Sequence, residues 1–194
     1  MDALYTWLRD TDCNELMAAL LRWQMQSLQV EQSWSLLGPT GEHNRYELRP
    51  RGTVLCITNN KEDLLLHLSI ALCTGNTMLW TDTEFHRHLH ATLPENIKGH
   101  ISLVCADVDI DGVDIPVGKS SVHPDIILFS GQSDQLRGVS SYVAKWPGQI
   151  VPIVVVQYAQ PSSWDNALAY MMTERATSIN TAAAGGNASL MTLV

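Results

Sequence analysis

Three histidines, His86, His88 and His90, stand close together in the chain and could do chemistry. Their segment has a helical pattern, so His86 and His90 lie one turn apart and could share a metal ion. No glutamate follows in the HExxH arrangement, and the spacing of the sequence indicates no further ligand. We therefore interpret the three histidines as a solvated helix face and predict no metal site.

A run of aspartates offers a second possible site. Asp107, Asp109, Asp111 and Gly112 are spaced like the first half of a calcium-binding loop. The twelfth position of such a loop supplies a bidentate glutamate, but here it is Gly118. We therefore predict that the segment 106–124, rich in aspartate and glycine, is an irregular loop without calcium.

A third candidate is the Ser-Gly-Gln-Ser segment at 130–133, which lies between a strand pattern and a helix pattern. A phosphate group could bind there to free N–H groups at the start of the helix. The sequence contains no GxGxxG, GxxxxGK[ST] or GxSxG motif. We therefore favour an ordinary strand-to-helix turn and keep nucleotide binding as the alternative.

The composition of the 194-residue chain fits a globular protein, since 45% of its residues are hydrophobic. A formal net charge of -8 argues against contact with nucleic acid, which needs clustered lysine and arginine. No apolar run could cross a bilayer, so we predict no membrane insertion. The N-terminus lacks signal-peptide features, and the four cysteines show no paired spacing. We expect reduced, buried thiols and a cytoplasmic location.

The start of the chain predicts packing elements. Residues 1–32 form a helical lead, in which a short helix around Trp7 precedes a longer one from Asn14 to about Val30. Residues 33–50 form a β-hairpin flap, with strands at 33–37 and 45–49 around a turn rich in glycine. Because a two-stranded hairpin is only marginally stable alone, the flap must lean on another segment or on a partner.

Strand and helix patterns alternate from residue 51 to residue 160. This alternation predicts a mostly parallel sheet flanked by helices, which is an α/β, Rossmann-like fold. The predicted strands lie at 53–58, 77–80, 101–105, 126–130 and 151–156, and the helices between them lie at 63–74, 83–93 and 134–145.

The last part of the chain, 161–194, contains a helix pattern at 164–173, a strand at 176–180 and a tail rich in alanine and glycine. We predict that the strand residues 178–180 pair with the flap. The uncharged tail is typical of a segment that packs closely against another surface, because small residues permit a close backbone approach.

Several core motifs resemble the Rossmann half of the aldehyde dehydrogenases. They are Arg-Pro-Arg-Gly-Thr-Val-Leu-Cys at 49–56, Leu-Cys-Thr-Gly-Asn-Thr-Met-Leu-Trp at 72–80 and Ile-Leu-Phe-Ser-Gly-Gln-Ser-Asp at 127–134. More specific are Gly-Pro-Thr-Gly-Glu-His-Asn-Arg-Tyr at 38–46, Glu-Arg at 174–175 and the tail motif at 178–191. From about Trp34 to the end, the chain is similar to the C-terminal domain of the proline utilisation A (PutA) family.

The resemblance implies a larger protein that joins an FAD-dependent proline dehydrogenase to an NAD-dependent L-glutamate γ-semialdehyde (pyrroline-5-carboxylate) dehydrogenase. It implies that this chain is a non-catalytic domain with no cofactor of its own. Such a domain covers the channel for the intermediate and replaces a dimer partner. Its partner would be the catalytic aldehyde dehydrogenase domain of the same polypeptide, and the isolated chain could form a homodimer through flap and tail. The proline dehydrogenase part would bring the whole protein to the inner membrane as a peripheral protein.

Departures from the aldehyde dehydrogenase pattern support a non-catalytic role. Thr-Asn-Asn at 58–60 stands where Pro-Trp-Asn is expected, and Thr-Asp-Thr-Glu at 81–84 keeps only the glutamate of Lys-Pro-x-Glu. Gln157 follows the strand after which the catalytic glutamate is expected, and the chain has no room for the domain that carries the catalytic cysteine. Without a thiolate, a base and an oxyanion donor, aldehyde oxidation has no mechanism.

The resemblance thus predicts two sets of residues. Vestigial cofactor-site candidates are Glu84, Gly131, Gln132 and Ser133. They carry the alternative that the chain binds NAD and contributes to or regulates the dehydrogenase activity. The interface candidates, which would pack on the catalytic domain, are Gly38, Pro39, Thr40, Gly41, Arg45, Tyr46, Asn180, Thr181, Gly185, Gly186, Asn187, Leu190 and Met191.

Overall fold

The computed structural model describes residues 2–11, 13–27, 30, 32–39, 41–106, 108–115 and 123–180. They form seven α-helices, a 3-10 turn at Pro161–Ser163 and ten strands. None of these helices is long and apolar enough to cross a membrane. The helices are α1 (Asp2–Asp10), α2 (Asn14–Ser27), α3 (Lys61–Cys73), α4 (Glu84–Thr92), α5 (Glu95–Lys98), α6 (Ser133–Val143) and α7 (Trp164–Tyr170). The strands are β1 (Ser33–Leu36), β2 (Glu42–Pro50), β3 (Thr53–Ile57), β4 (Thr77–Thr81), β5 (Ile101–Val104), β6 (Val108–Ile110), β7 (Val113–Ile115), β8 (Ile126–Phe129), β9 (Ile153–Val155) and β10 (Met172–Asn180).

Five parallel strands form the central sheet in the order β5-β4-β3-β8-β9. The chain enters the sheet at β3, winds outward through β4 and β5, and returns to add β8 and β9 on the other side. The order therefore reverses between β3 and β8, which is the switch point of a Rossmann-like sheet. The predicted α/β fold with a parallel sheet and a separate flap is confirmed.

The sheet separates two cores. On one side, α3 lies between the sheet and the helical lead, which explains why α3 is buried nearly all round. Trp23 of α2 is fully buried there, and its Nε1–H donates to Asp165 of α7 at 2.8 Å. On the other side, α6 and the β6–β7 pair cover Leu55, Ile57 and Phe129. The second core is smaller and depends on a short hairpin.

That hairpin corrects the prediction of an irregular loop at 106–124, which is wrong for residues 108–115. β6 and β7 pair as antiparallel strands. Asp111 and Gly112 at the turn have φ angles of 53° and 79°, as a two-residue hairpin turn requires. The strands form because Val113 and Ile115 are buried against the second core, at 7% and 0% exposure.

Helix ends also differ from the sequence-based prediction. α2 ends at Ser27, and Val30 instead bridges to Leu48 in the flap. α7 ends at Tyr170 because Met172 already pairs with β2. The short helix α5, which follows Pro94, was not predicted.

The flap is a three-stranded antiparallel sheet in the order β1-β2-β10. β10 pairs with β2 along its whole length, from Met172 opposite Pro50 to Asn180 opposite Glu42. The prediction that 178–180 pairs with the flap is confirmed, and the pairing is made within one chain. The third strand supplies the support that a two-stranded hairpin lacks.

Asn76 ties the flap to the core. Its Oδ1 accepts from the Gly52 N–H at 2.8 Å, and its Nδ2 donates to the Met171 carbonyl at 3.0 Å and to Thr74 Oγ1 at 2.8 Å. The preceding Gly75 has a φ of 75°, which suits glycine and ends α3 as the sequence predicted. We call the contacts between Asn76, Gly52 and Met171 the flap root.

Candidate functional site

A crevice opens at the carboxyl ends of β3 and β8, the switch point of the sheet. Open α/β sheets bind their ligands at this place. The crevice has a cavity of about 390 Å³. Its lining is rich in carboxamide and hydroxyl groups and consists of Ile57, Thr58, Asn59, Asn60, Asp63, Thr81, His86, Val113, Asp114, Ser130, Gly131, Gln132, Gln135 and Gln157.

The vestigial cofactor-site candidates divide between two cavities. Gly131 and Gln132 line the crevice. Glu84 instead lines a neighbouring groove of about 900 Å³ between α4 and the start of α3. Ser133 begins α6 and is not among the described residues that line either cavity. The structure therefore brings Gly131 and Gln132 together and leaves Glu84 on the far side of Asp114.

The start of α6 is capped by its own side chains. The Gln132 N–H donates to Gln135 Oε1 at 2.9 Å, so this donor is not free to bind a phosphate. Gly131 leaves no room for a side chain, because a Cβ there would lie 2.7 Å from the Phe129 ring. Asp134 adds an exposed negative charge to the first turn. This helix start is built for internal capping rather than for an anion.

Asp63 is the buried carboxyl group of the crevice, at 8% exposure. It accepts from the Ser130 hydroxyl at 2.6 Å and from the Tyr158 N–H at 2.5 Å. Asn60 caps α3 by accepting from the Asp63 N–H at 3.1 Å. Asp63 thus fastens the start of α3 to the ends of β8 and β9.

The charge of the crevice does not suit a pyrophosphate. Among the residues that the structure describes, none that lines the crevice is a lysine or an arginine, whereas Asp63 and Asp114 are acidic. Lys61 lines the neighbouring groove instead. An anionic ligand in the crevice would therefore meet two carboxyl groups without a compensating cation.

His86 is buried at 2% exposure, so the prediction of a solvated face is wrong for it, although His88 is exposed. The reason is tertiary, because the His86 ring packs near Trp80 and Phe85. Its Nδ1 lies 2.7 Å from the Thr83 hydroxyl, and Nε2 has no hydrogen-bond partner of normal geometry among the described residues. Burial lowers the pKa of His86, which Asp114 and the Thr58 carbonyl partly oppose. The imidazole is therefore held neutral.

The aspartate run serves the hairpin turn. Asp109 Oδ1 accepts from the Gly112 N–H at 3.0 Å, which closes the turn. Asp107 and Gly118 lie outside the described residues. Within the described part of the chain, no group of three histidine, cysteine or acidic side chains could hold a metal ion.

The four cysteines are free thiols. Burial raises the pKa of Cys56 far above its usual range and that of Cys73 to about 12. Both stay protonated at neutral pH and are poor nucleophiles. The prediction of buried thiols is wrong for Cys105, which is exposed, and Cys13 is only half-buried. Neither of these two residues lines the crevice.

The flap offers a second surface, with two different faces. On one face, Glu47 pairs with Arg49 at 2.7 Å and with Arg45 at 3.5 Å, and Arg49 lowers the pKa of Glu47 by hydrogen bonding. On the other face, the rings of Trp34 and Tyr46 lie 5.8 Å apart. One face is therefore charged and the other aromatic.

The interface candidates are partly described. Arg45 and Tyr46 lie in the middle of β2 on opposite faces, and Asn180 ends β10. Gly38, Pro39 and Gly41 belong to the turn between β1 and β2, which Gly41 closes with a φ of 94°. Seven candidates lie outside the described residues: Thr40, Thr181, Gly185, Gly186, Asn187, Leu190 and Met191.

The sequence did not lead us to predict the polar contacts of Asp63, Gln135 and Asn76. A signal was present for Asp63, since Asn60 at the end of a strand and an acidic residue three positions later form a helix-start pattern. The several partners of Asn76 come from distant segments and leave no sequence pattern.

Comparison with known proteins gives consistent relatives, although no family model matches the chain. The chain is 40% identical over 159 residues to the bifunctional protein PutA of Escherichia coli (strain K12). This match covers 81% of this chain and 11% of that protein. It is 32% identical over 165 residues to the PutA of Rhizobium meliloti, covering 81% of this chain and 12% of that protein. A solved structure of proline utilization A with proline bound in remote sites aligns with a TM-score of 0.50 and 21% identity, over 70% of this chain and 15% of that one.

Fold and crevice define a Rossmann-like α/β domain that is extended by an antiparallel flap. The chain spans about a tenth of the length of the curated relatives it matches. Its sequence matches one segment of the PutA proteins. The family resemblance seen in the sequence is confirmed.

Proposed function

We propose that this chain is the C-terminal, non-catalytic domain of a PutA protein that converts proline to glutamate. It packs on the aldehyde dehydrogenase domain of the same polypeptide, seals the cavity through which the intermediate passes and replaces a dimer partner. FAD and NAD serve the two catalytic parts of the whole protein, and this domain holds no cofactor. The whole protein acts in the cytoplasm, with a peripheral contact to the inner membrane through its proline dehydrogenase part.

The proposal divides the chain into four functional parts. The helical lead (1–32) and the Rossmann-like core (51–160) form the body, from which the flap (33–50) projects. The last part (161–194) adds the final helix, the third strand of the flap and the tail. Flap and tail meet the catalytic domain, and in an isolated chain the same surfaces could join two copies.

The observation that carries the proposal is the exposure of the flap end. Leu36 and Leu37 are 50% and 104% exposed there, and Ile179 of β10 is 49% exposed. Leu36 lies opposite Asn44 and Ile179 lies opposite His43, so these side chains gather at the same end of the sheet. β1 and β10 are both edge strands. Exposed leucines beside open strand edges favour association with another surface.

The crevice supports the absence of a cofactor. Its two acidic groups, the capped start of α6 and the neutral His86 all disfavour the pyrophosphate of NAD. The buried thiols of Cys56 and Cys73 offer no nucleophile.

A test in the full-length protein compares exposed apolar residues at two places. Leu36→Ser with Leu37→Ser alters the flap end, and Ile150→Ser alters a residue of the body that is 94% exposed. We expect both single reactions to keep their rates. The flap variant should show a lag in glutamate formation and release of intermediate that a trapping reagent can detect, whereas Ile150→Ser should not. Equal behaviour of the two variants contradicts the sealing role.

Deletion of 182–194 from the full-length protein tests the tail in the same assay. We expect the lag to appear again, because the tail would no longer cover the cavity. Unchanged coupled turnover would show that the tail has no sealing role.

The alternative function is NAD binding that contributes to or regulates the dehydrogenase. It is favoured by the position of Gly131 and Gln132 at the switch point, next to the groove lined by Glu84. Titration calorimetry of the isolated chain with NAD separates the two functions. Micromolar binding supports the alternative and contradicts a domain without cofactor.

A further inference from the structure

The β6–β7 hairpin lies across the carboxyl edge of the sheet, where it meets three other elements. Asn59, just after β3, donates from Nδ2 to the Gly112 carbonyl at 3.4 Å. Thr81 at the end of β4 donates from Oγ1 to the Asp114 carbonyl at 3.2 Å. Gln135 of α6 donates from Nε2 to the Asp111 carbonyl at 3.1 Å. Three side chains from three parts of the fold thus bind the backbone of the β6–β7 hairpin.

Apolar packing holds the hairpin from below. Val113 and Ile115 share a core with Val139 and Val143 of α6. Ile110 lies so close to α6 that a Cβ on Gly138 would come within 2.6 Å of its Cγ2 atom. Gly138 sits inside a helix, where glycine is unfavourable, so its lack of a side chain here allows the close approach of the hairpin.

The hairpin also separates the two cavities. Asn59 and Asp114 line both the crevice of about 390 Å³ and the neighbouring groove of about 900 Å³. They stand at the boundary, and the contact of Asn59 is with the turn of the hairpin itself. Together the two cavities extend from Glu84 to Gly131, and Asp114 of the hairpin lines both.

We propose that the β6–β7 hairpin is a built-in stopper that divides the ligand groove of this Rossmann-like fold and closes it to an extended dinucleotide. The crevice that remains is at the small end of the range for ligand sites. The closure rests on the proposed function of a domain without cofactor, and it names the contact that keeps the dinucleotide out. It acts whether or not the flap has a partner, so it is independent of the sealing role.

Thiol labelling of the isolated chain tests the stopper. Thr58 is 6% exposed and lines the crevice, so Thr58→Cys places a reporter thiol there. Cys13→Ser and Cys105→Ser remove the accessible natural thiols, and Cys56 and Cys73 stay buried and protonated. We expect slow labelling of Thr58→Cys by a bulky maleimide while the hairpin is seated.

Gly138→Leu should displace Ile110 and lift the hairpin, and the reporter should then react about ten-fold faster because local opening exposes it. Adding Ile110→Ala makes room for the leucine and should return labelling toward the slow rate. Ser141→Leu places the same side chain at an exposed position of α6 and is the matched control. Circular dichroism of each variant serves as the control that it is folded.

Three results would overturn the stopper. One is a reporter that reacts as fast as a free thiol in the chain with its natural hairpin. Another is a Gly138→Leu variant that labels no faster than Ser141→Leu. The third is protection of the reporter by NAD in the chain with its natural hairpin, since a dinucleotide would then reach the crevice past the hairpin. Coupled turnover of the full-length protein plays no part in these outcomes.

Discussion

The flap and the crevice use polar side chains in opposite ways. In the flap, Glu47 is itself only 9% exposed, but its partners Arg45 and Arg49 are half exposed, and apolar residues at the flap end also face solvent. In the crevice, Asp63 is buried and takes its hydrogen bonds from neutral groups of the domain. The flap therefore keeps its surface available, whereas the crevice uses its polar groups to hold the domain together.

This difference predicts where stability is concentrated. Hydrogen bonds among buried groups are costly to break, while exposed ion pairs contribute little. Substitutions at the crevice and at the flap root should therefore destabilise the isolated chain far more than substitutions of the exposed residues of the flap.

The flap root should show the largest effect. Asn76→Ala removes three hydrogen bonds and leaves Gly52 N–H, the Met171 carbonyl and Thr74 Oγ1 without that partner. We expect the free energy of unfolding to fall by about 4 kcal/mol. Urea unfolding of the isolated chain measures it, with Asn96→Ala at an exposed position as control. Equal losses of unfolding free energy in the two variants would show that the flap root does not stabilise the chain.

The crevice comes next. Asp63→Ala breaks the contacts with the Ser130 hydroxyl and the Tyr158 N–H, which should cost about 3 kcal/mol of unfolding free energy. Asp134→Ala is the matched control, because Asp134 is 81% exposed and pairs only with Arg137 at the surface. Its expected effect stays below about 1 kcal/mol. A small effect of Asp63→Ala would show that its carboxyl group does not hold the start of α3 in place.

His67, which is buried in the core below the crevice, makes the free energy of unfolding depend on pH. Its Nε2–H donates to the Val156 carbonyl at 2.9 Å, and Nδ1 is buried with no hydrogen-bond partner in the part of the chain that the structure describes. Burial lowers the pKa of His67 from 6.5 to about 4, although the Val156 carbonyl and Asp63 favour the proton. The unfolded chain binds a proton near pH 6.5 that the folded chain takes up only near pH 4, so stability falls as the pH falls through this window.

We expect unfolding free energy to drop by about 2 kcal/mol between pH 7 and pH 5 through His67. His67→Gln keeps a donor near Val156 and should remove most of this drop, whereas His88→Gln, at an exposed position, should leave it intact. Urea unfolding at the two pH values measures the difference. An unchanged drop in His67→Gln would assign the pH dependence to other groups, of which His86 is the nearest candidate because burial also lowers its pKa.

The sequence predicted the fold because local patterns agree with it. The buried strand β3 reads as a continuous apolar run, and Val54, Leu55 and Cys56 are indeed all fully buried. Strand and helix alternation then leaves few topologies. The pairing of 178–180 with the flap was accessible too, because a flap of two strands needs a third.

The hairpin and His86 were not predicted, for different reasons. The Asp-Gly pair at 111–112, between two Val-Asp-Ile segments, is a hairpin signal that the aspartate content obscured. No local signal marks His86 on α4, because its burial depends on packing near Trp80 of the strand β4. The part of the site that tertiary contacts create was therefore beyond a reading of local patterns.

The smallest effect on stability belongs to the flap end. Leu37→Ser changes a side chain that is fully exposed, so the unfolding free energy of the isolated chain should change by less than about 0.5 kcal/mol. In the full-length protein the same substitution should loosen the packing of the flap if a catalytic domain covers it. Hydrogen exchange of 33–39 in both proteins makes this visible, with Ile150→Ser as the control. Protection of this segment only in the full-length protein, reduced by Leu37→Ser, would separate a docking surface from an exposed loop. Equal exchange in the two proteins would leave the flap end without a partner.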